Sequence, residues 1–244
     1  MKLNGAVIIP ARFNSSRLPG KPLLDIQGKP MIQRTFERCV EAVGVEKVVV
    51  ATDSEQIFRA VEGFGGRVEL TGSHHKTGTD RIAELNSRLD LDFVVNVQGD
   101  EPLINPSDIK SVYSKMASGQ FGVLNCYAEL SDWEARSPTV PKVAISRSER
   151  LIYMSRGGVP FTKGGSPTPR FKQVCIYGFT KERLLQFALQ RVKLPLEEEE
   201  DIEILRFLEM DLDVQMLKVY ASSVAVDTLE DLQRVREVLA AEEG

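Results

Sequence analysis

Cysteine is scarce in this sequence, with three residues in a chain of 244. Cys39, Cys126 and Cys175 are odd in number, far apart and without Cys-x-x-Cys spacing. This pattern argues against a disulfide framework and against a zinc site built on thiolates. We expect all three to be buried free thiols.

Long hydrophobic runs and an excess of positive charge are also missing. The first apolar run, Ala6 to Ile9, is too short for a signal-peptide core, and no stretch has the length needed to cross a bilayer. Lys and Arg number 31 against 35 Asp and Glu, which gives a net charge of −4. A general attraction to nucleic acid or anionic membrane is therefore not expected. These absences predict a cytoplasmic protein with neither a nucleic-acid nor a membrane partner.

Two common nucleotide-binding motifs are absent from the loop that follows this apolar run. Residues 10–22 contain neither the Gly-Lys-Ser/Thr of a P-loop nor the Gly-x-Gly-x-x-Gly of a dinucleotide site. ATPase and dehydrogenase interpretations lose their main support for this reason.

The residues that are present indicate one α/β domain over residues 1–244, with 42% hydrophobic content to form a core. Strand-like runs alternate with amphipathic helical patterns through the first half, which is typical of a doubly wound fold. The predicted strands there are Ala6 to Ile9, Lys47 to Thr52, Arg67 to Leu70 and Phe93 to Val97. The predicted helices carry their apolar residues at Ile32 to Val43, Ile57 to Phe64, Ile82 to Leu89 and Ile109 to Met116.

The second half has a different order of elements, because strand-like runs follow one another with little helix between them. They are Gly122 to Ala128, Val140 to Ser146, Arg150 to Ser155 and Gln173 to Phe179. This succession predicts partly antiparallel pairing, in a substrate or dimerisation subdomain at about residues 122–180. Gly164 to Pro169 is predicted to be a mobile loop. Two helices and two short strands, Val214 to Val219 and Val224 to Val226, are expected to close the chain.

The loop after the first strand concentrates positive charge where open α/β sheets bind ligands. It contains Arg12, Arg17 and Lys21, and a triphosphate needs several such donors converging on it. A solvated basic turn is the alternative explanation for the same residues.

This loop carries a family resemblance. Pro10-Ala11-Arg12 and Arg17 to Pro22, followed by Gly28 to Ile32, resemble the sugar nucleotidyltransferases, and in detail the CMP-Kdo synthetases (3-deoxy-manno-octulosonate cytidylyltransferases). Further matching segments keep the family order along nearly the whole chain: Ala51-Thr52-Asp53, Thr77 to Arg81, Val97 to Pro102, Ser155-Arg156, Ile176-Tyr177 and Val226 to Leu232.

The resemblance implies a Rossmann-like, doubly wound mixed sheet of the sugar nucleotidyltransferase type. It also implies an enzyme that uses CTP and Mg²⁺ to activate a 3-deoxy-ulosonic acid, namely Kdo or a close derivative such as an amino-Kdo. Pyrophosphate would be released, the product would serve lipopolysaccharide or surface polysaccharide synthesis, and the enzyme would be a homodimer. A transferase for another nucleotide or sugar phosphate, and a non-catalytic nucleotide-binding regulator, are alternatives.

Two aspartates are the candidate magnesium ligands. Asp100 follows one predicted strand and Asp227 follows another, so both carboxylates are expected at the same sheet edge. Mg²⁺ prefers such oxygen ligands together with substrate phosphates. The alternatives are a turn role for Asp100 and a helix-cap role for Asp227, since Thr228 to Asp231 fits a capping box.

The candidate mechanism is in-line attack by the sugar's anomeric hydroxyl on the α-phosphorus of CTP. The predicted catalytic residues are Arg12, Lys21, Asp100 and Asp227. The predicted nucleotide contacts are Pro10, Ala11, Arg12, Arg17, Lys21, Thr77, Gly78, Thr79, Arg81 and Asp100. Thr79 could instead cap a helix that begins near Asp80. His74 and His75 would point apart on a strand or helix, so a metal site there is not expected.

The sugar contacts are predicted to be Gln98, Arg156, Gln173, Tyr177 and Glu203. Arg156 suits the acid's carboxylate, while Gln98 and Tyr177 can bond its hydroxyls. Gln173 stands where the family pattern has His, and Ile204 replaces an amide in the family's Leu-Glu-Gln-Leu-Arg segment. Arg156 and Tyr177 could instead have surface or core-edge roles. Glu203 and Arg206 could be solvated opposite a core face formed by Ile202, Leu205 and Leu208.

Overall fold

The structure is a computed structural model, and it describes residues 3–14, 18–161, 163, 170–220 and 225–243. Arg17, the Gly164 to Pro169 loop and Val224 lie outside the described residues.

The first half alternates strands and helices, as the hydrophobic periodicity predicts. In chain order the elements are β1 (Gly5–Ala11), β2 (Asp25–Ile26), β3 (Lys29–Pro30), α1 (Met31–Val43), β4 (Val48–Thr52), α2 (Glu55–Gly63), β5 (Val68–Leu70), α3 (Gly78–Leu89), β6 (Phe93–Val97) and α4 (Pro106–Ala117).

The second half is richer in consecutive strands. Its elements are β7 (Val123–Glu129), α5 (Asp132–Arg136), β8 (Lys142–Ile145), β9 (Leu151–Ser155), β10 (Phe171–Thr180), α6 (Lys181–Leu189), α7 (Pro195–Glu200), α8 (Leu205–Glu209), β11 (Gln215–Lys218) and α9 (Leu229–Glu243). Four helices therefore follow β10 in the described chain, and the prediction of two was wrong. The predicted strand at Val224 to Val226 was also wrong where it can be compared, because Ala225 and Val226 lie outside any strand.

One mixed sheet of nine strands organises the described residues. Its main path is β11-β7-β10-β6-β1-β4-β5, and β8 joins β10 to β9 at the side. Strand β1 pairs parallel with both β4 and β6, whereas β10 runs antiparallel to β6 and β7. The chain thus winds in opposite directions from β1, and the carboxyl ends of β1 and β6 form the crevice where such sheets bind ligands.

Hydrophobic side chains cover both faces of this sheet. On one face Val7 and Ile9 pack with α1 and α4, and on the other face Ile8 packs with α3, α6 and α8. Cys39 and Cys126 are buried free thiols in the first of these layers, whereas Cys175 is only half-buried. No helix of the described chain is both long enough and apolar enough to span a membrane.

The C-terminal helix α9 packs against the beginning of the chain. Its Leu232, Val235 and Leu239 form a third cluster with Ile26 and Met31. Arg236 adds two hydrogen bonds from its guanidinium to the carbonyl of Asp25, at 3.0 and 2.6 Å. This contact brings the last segment of the chain to the edge of the crevice.

Candidate active site

Lys21 joins the two predicted metal ligands. Its Nζ lies 2.5 Å from Asp100 Oδ2 and 3.2 Å from Asp227 Oδ1. Burial disfavours the charged ammonium, but the two carboxylates outweigh this effect and raise the pKa of Lys21 above its ordinary value. The two aspartates, separated by more than half of the chain, therefore lie together at the end of β6.

Backbone contacts position this pair. The N–H of Val226 donates to the carbonyl of Asp100 at 2.9 Å, which places Asp227 beside Asp100. The helix-cap role falls to Thr228 and Asp231: Asp231 N donates to Thr228 Oγ1 at 3.2 Å, and Thr228 N to Asp231 Oδ2 at 2.8 Å. The carboxylate of Asp227 meets Lys21 instead, so the helix-cap alternative does not describe it.

The donor chemistry at this point suits a magnesium ion. Two carboxylates already share one cationic group, so their geometry supports a positive charge between them. Mg²⁺ takes oxygen ligands and is commonly held by one or two carboxylates with substrate phosphates. Asp100 and Asp227 are the residues that could hold it.

A first cleft of about 250 Å³ opens above the ends of β1 and β6. It is lined by most of the predicted nucleotide residues, namely Pro10, Ala11, Arg12, Lys21, Thr77, Gly78, Arg81 and Asp100. Gly78 allows helix α3 to approach the loop after β1 closely, since a methyl group there would lie 3.2 Å from Pro10 Cγ. Thr79 is absent from this lining, and Arg17 lies outside the described residues.

Helix α3 begins at the first cleft, and hydrogen bonds hold its first turn in place. Thr77 is its N-cap and accepts from Asp80 N at 3.1 Å, so the capping role considered as an alternative for Thr79 belongs to Thr77. Arg81 is 2% exposed and donates to Asp53 Oδ2 at 2.9 Å and to Thr71 Oγ1 at 2.6 Å. The bond to Asp53 thereby orients the Arg81 side chain, which lines the first cleft.

Glu203 links helix α3 to the segment between α7 and α8. Its carboxylate accepts from Gly78 N at 3.0 Å, from Thr79 N at 3.0 Å and from Thr79 Oγ1 at 2.6 Å. Burial raises the pKa of Glu203, and the hydrogen bonds from Thr79 and Gly78 only partly counteract this. The solvated alternative for Glu203 was wrong, because its charge is used at a helix N-terminus.

Arg206 is also buried, and the alternative of a solvated side chain was wrong here too. It is 1% exposed, and it donates from Nε and Nη2 to Glu197, each at 2.6 Å. A third bond, from Nη1 to Asp80 Oδ1 at 3.1 Å, reaches helix α3. A buried guanidinium needs such paired carboxylates, and this set fixes α7 and α8 against helix α3.

A second cleft of about 270 Å³ adjoins the first. It is lined by all five predicted sugar contacts, Gln98, Arg156, Gln173, Tyr177 and Glu203. Gln173 is held by a 3.1 Å bond from its Nε2 to Asn125 Oδ1. Asp100 and Asp227 line both clefts, so the two spaces meet at the aspartate pair.

Arg156 lies at the wall of the second cleft with most of its donors engaged. Its guanidinium donates to the carbonyls of Glu200 at 2.7 Å, Thr139 at 3.1 Å and Asp201 at 3.1 Å. Lys172 is a second cation in this cleft, and it is paired with Glu134. The wall therefore offers two different cationic groups to a ligand carboxylate.

Several residues that line the clefts were not predicted from the sequence. Lys193 and Asp201 line the first cleft and pair at 2.7 Å, and Lys76 lines it as well. Trp133, Glu134 and Lys172 line the second cleft. They belong to segments without a recognisable motif, whereas Asp53 could have been suggested by its place in Ala51-Thr52-Asp53.

Comparison with known proteins gives a consistent result. The family model described as "Cytidylyltransferase" matches residues 6–220. The 3-deoxy-manno-octulosonate cytidylyltransferase of Escherichia coli is 36% identical over 97% of this chain and 96% of that protein. The 8-amino-3,8-dideoxy-manno-octulosonate cytidylyltransferase of Shewanella halifaxensis is 40% identical over 95% and 96%. The structure of CMP:2-keto-3-deoxy-manno-octonic acid synthetase complexed with CTP superposes with a TM-score of 0.90 at 36% identity, covering 98% and 99% of the two chains.

Proposed function

This chain belongs to the cytidylyltransferase family, and on that basis we propose that it couples CTP to 3-deoxy-manno-octulosonate (Kdo) or to its 8-amino derivative. The products are the CMP-sugar and pyrophosphate. The observation that carries this proposal is the meeting of two clefts at Asp100 and Asp227. A nucleotide in the first cleft and an acid sugar in the second would have their reacting groups at this junction.

The chain's own residues supply positioning and charge. Arg12, Lys21, Thr77, Gly78 and Arg81 line the first cleft. Arg12 and Lys21 would face the phosphates, and Thr77, Gly78 and Arg81 would face the nucleoside. The anomeric hydroxyl attacks the α-phosphorus, a phosphorus–oxygen bond forms, and the bond to the β-phosphate breaks as pyrophosphate leaves. Such a transfer depends on alignment and neutralisation of charge.

Asp100 and Asp227 would hold the magnesium ion, which when bound supplies charge neutralisation at the phosphates and eases deprotonation of the attacking hydroxyl. A protein nucleophile is not needed. Cys175 lines the second cleft, but burial raises the pKa of its thiol well above the ordinary value, so a reactive thiolate is not available there.

On the sugar side, Arg156 is proposed to attract the carboxylate of the ulosonic acid. Gln98, Gln173, Tyr177 and Glu203 surround the remaining hydroxyl positions. Both sugar forms have relatives of similar likeness to this chain, so the substituent at C8 is the point that requires measurement.

The test is to incubate the protein with each nucleoside triphosphate, Mg²⁺, and either Kdo or 8-amino-Kdo, and to measure pyrophosphate. We expect release with CTP and at least one of these acids. Asp100→Ala and Asp227→Ala should each lose turnover by roughly 10²–10³-fold or more, the scale of losing one charge-stabilising group. Asp213→Ala is the control, because Asp213 is an exposed partner of Arg150. Release confined to another triphosphate, or to a sugar-phosphate acceptor, would contradict the proposal.

The homodimer and the cytoplasmic location also remain proposals. Strand β9, in the proposed substrate or dimerisation subdomain at about 122–180, exposes 60% of Ile152, which supports an interface on this side. Sedimentation equilibrium of the purified chain measures the dimer, and Ile152→Glu should weaken it if this strand takes part.

A further inference from the structure

The two histidines of the chain lie next to each other, outside the point at Asp100 and Asp227 where the two clefts meet. His74 and His75 are the only histidines in the sequence, and they occupy the turn between β5 and α3. Glu84 faces them from within helix α3. None of these three side chains has a role in the transfer reaction described above.

Their geometry differs from what the sequence indicated. Adjacent side chains diverge on a regular strand or helix, but these two lie in a turn, and their ring centroids are 4.3 Å apart. His75 Nε2 lies 2.5 Å from Glu84 Oε2. One ligand atom from each of the three residues falls within 4.8 Å of the other two.

Two imidazoles and one carboxylate form a donor set for zinc-class ions rather than for magnesium. We propose that His74, His75 and Glu84 bind a divalent transition-metal ion of the zinc class, at a site separate from Asp100 and Asp227. Zn–N and Zn–O distances of about 2.0–2.2 Å place the ligand atoms of a tetrahedral site about 3.3 Å apart. His75 Nε2 and Glu84 Oε2 are 2.5 Å apart and no two of the ligand atoms are more than 4.8 Å apart, so modest side-chain rotations would be sufficient.

The residues around the three proposed ligands support a metal site that is open to solvent on one side. Gly72 N donates to Glu84 Oε2 at 2.9 Å, which holds the carboxylate in place as outer hydrogen bonds do in metal centres. Glu84 and His75 are half-buried and His74 is exposed. All three line a groove between α3 and α6, from which water or an anionic group could reach the remaining coordination position.

A simple hydrogen bond between His75 and Glu84 accounts for two of the residues but not for the third. His74 is exposed, and yet its ring remains against that of His75. An ion shared by the three would tie this turn to helix α3. Because His75 also lines the first cleft and the turn leads directly to Thr77 and Gly78, such an ion would stiffen one wall of that cleft. The metal site itself does not depend on the proposed function.

The experiment is a Co²⁺ titration of the full-length protein without nucleotide or Mg²⁺, followed by visible absorption and by competition with Zn²⁺. We expect one Co²⁺ per chain with the ligand-field bands of a four- or five-coordinate site, displaced by Zn²⁺. His74→Ala and Glu84→Gln should each weaken binding at least about ten-fold, because even changes around metal ligands commonly reach that factor. Glu84→Gln retains an acceptor for Gly72, and circular dichroism verifies folding.

Two control variants separate this site from other possible ones. Asp100→Ala should retain the cobalt spectrum, since an oxygen-only site at the aspartate pair would be lost by this change. Cys175→Ser should also retain it, and thiolate charge-transfer bands should be absent. The proposal is overturned if Co²⁺ fails to saturate the wild-type protein, or if His74→Ala and Glu84→Gln bind it as tightly as the wild type does.

Discussion

Thr79 Oγ1 donates a 2.6 Å hydrogen bond to Glu203 Oε2, across 124 residues of sequence. The bond joins the segment before α8 to the first turn of α3, which forms one wall of the first cleft, the proposed nucleotide site. Glu203 lines both this cleft and the second one.

Glu203→Ala should therefore affect CTP more than the sugar. Losing the acceptor leaves the N–H groups of Gly78 and Thr79 without this partner, at a cost of about 1–3 kcal/mol when such groups are buried. We expect the KM for CTP to rise about ten-fold and the KM for the ulosonic acid to change less. Steady-state kinetics with each substrate varied measures both. Glu199→Ala, at an exposed position of α7, is the control. A larger effect on the KM for the ulosonic acid would show that contact with the sugar, rather than support of helix α3, is the main role of Glu203.

The same carboxyl group should give a pH-dependent stability. Burial raises its pKa in the folded protein, above the value of about 4.3 expected when unfolded. The folded state then binds the proton more tightly, so its stability falls as pH rises from the unfolded to the folded pKa. The free energy of unfolding of Glu203→Gln minus that of the wild type should rise through this window and level off above it. Urea denaturation from about pH 4 to about pH 8 tests this; a difference independent of pH would contradict it.

Lys21→Met removes the ammonium between Asp100 and Asp227. Turnover should fall by roughly 10²–10³-fold, since one charge-stabilising group is lost at the reacting centre. The two carboxylates would then repel each other, so the melting temperature should drop in EDTA and recover more with added Mg²⁺ than that of the wild type does. Lys29→Met is the matched control, because Lys29 pairs with Glu37 at the surface. Full activity in Lys21→Met would remove Lys21 from the mechanism.

Arg206→Met should destabilise the fold by about 3–5 kcal/mol, because it leaves the fully buried Glu197 without its partner. Adding Glu197→Leu should recover much of that loss, since a buried ion pair can often be replaced by apolar groups. Urea unfolding of both variants measures the two changes. Arg59→Met changes an exposed arginine and is the control. If Arg206→Met were as stable as Arg59→Met, the buried ion pair of Arg206 with Glu197 would contribute little to stability.

The cations of the second cleft can be compared directly. Lys172 is already paired with Glu134, whereas the guanidinium of Arg156 donates to neutral carbonyls. Arg156→Met should therefore raise the KM for the ulosonic acid more than Lys172→Met does, by about ten-fold for the loss of a charge-assisted bond of about 1.5–3 kcal/mol. The KM for CTP and the circular dichroism spectrum distinguish this from misfolding. The reverse order would make Lys172 the carboxylate partner.

The sequence correctly predicted the features that depend on nearby residues, such as strands formed by apolar runs. The apolar runs at Ala6 to Ile9 and Phe93 to Val97 become central strands, and their carboxyl ends place Arg12 and Asp100 at the crevice. The approach of Asp227 to Asp100 was predicted from the same rule about strand ends, but its premise was wrong, because Ala225 and Val226 lie outside any strand. The bond from Val226 N to the carbonyl of Asp100 positions Asp227 instead.

Long-range pairing accounts for what the sequence did not predict. Arg206 resembled a solvated charge because Asp80 is 126 residues away and Glu197, nine residues earlier, resembled part of an acidic helix start. Glu203 has its partners 124 and 125 residues earlier. His74 and His75 were assigned divergent directions by a rule for regular elements, and that rule does not hold in a turn.

The bond from Val226 N to the carbonyl of Asp100 has a consequence for biosynthesis. Asp100 precedes α4 and Asp227 precedes α9, so the pair is complete only after the chain up to α9 has left the ribosome. A growing chain can fold its central strands early and still lack the proposed magnesium site, which forms only once the segment around Val226 has docked.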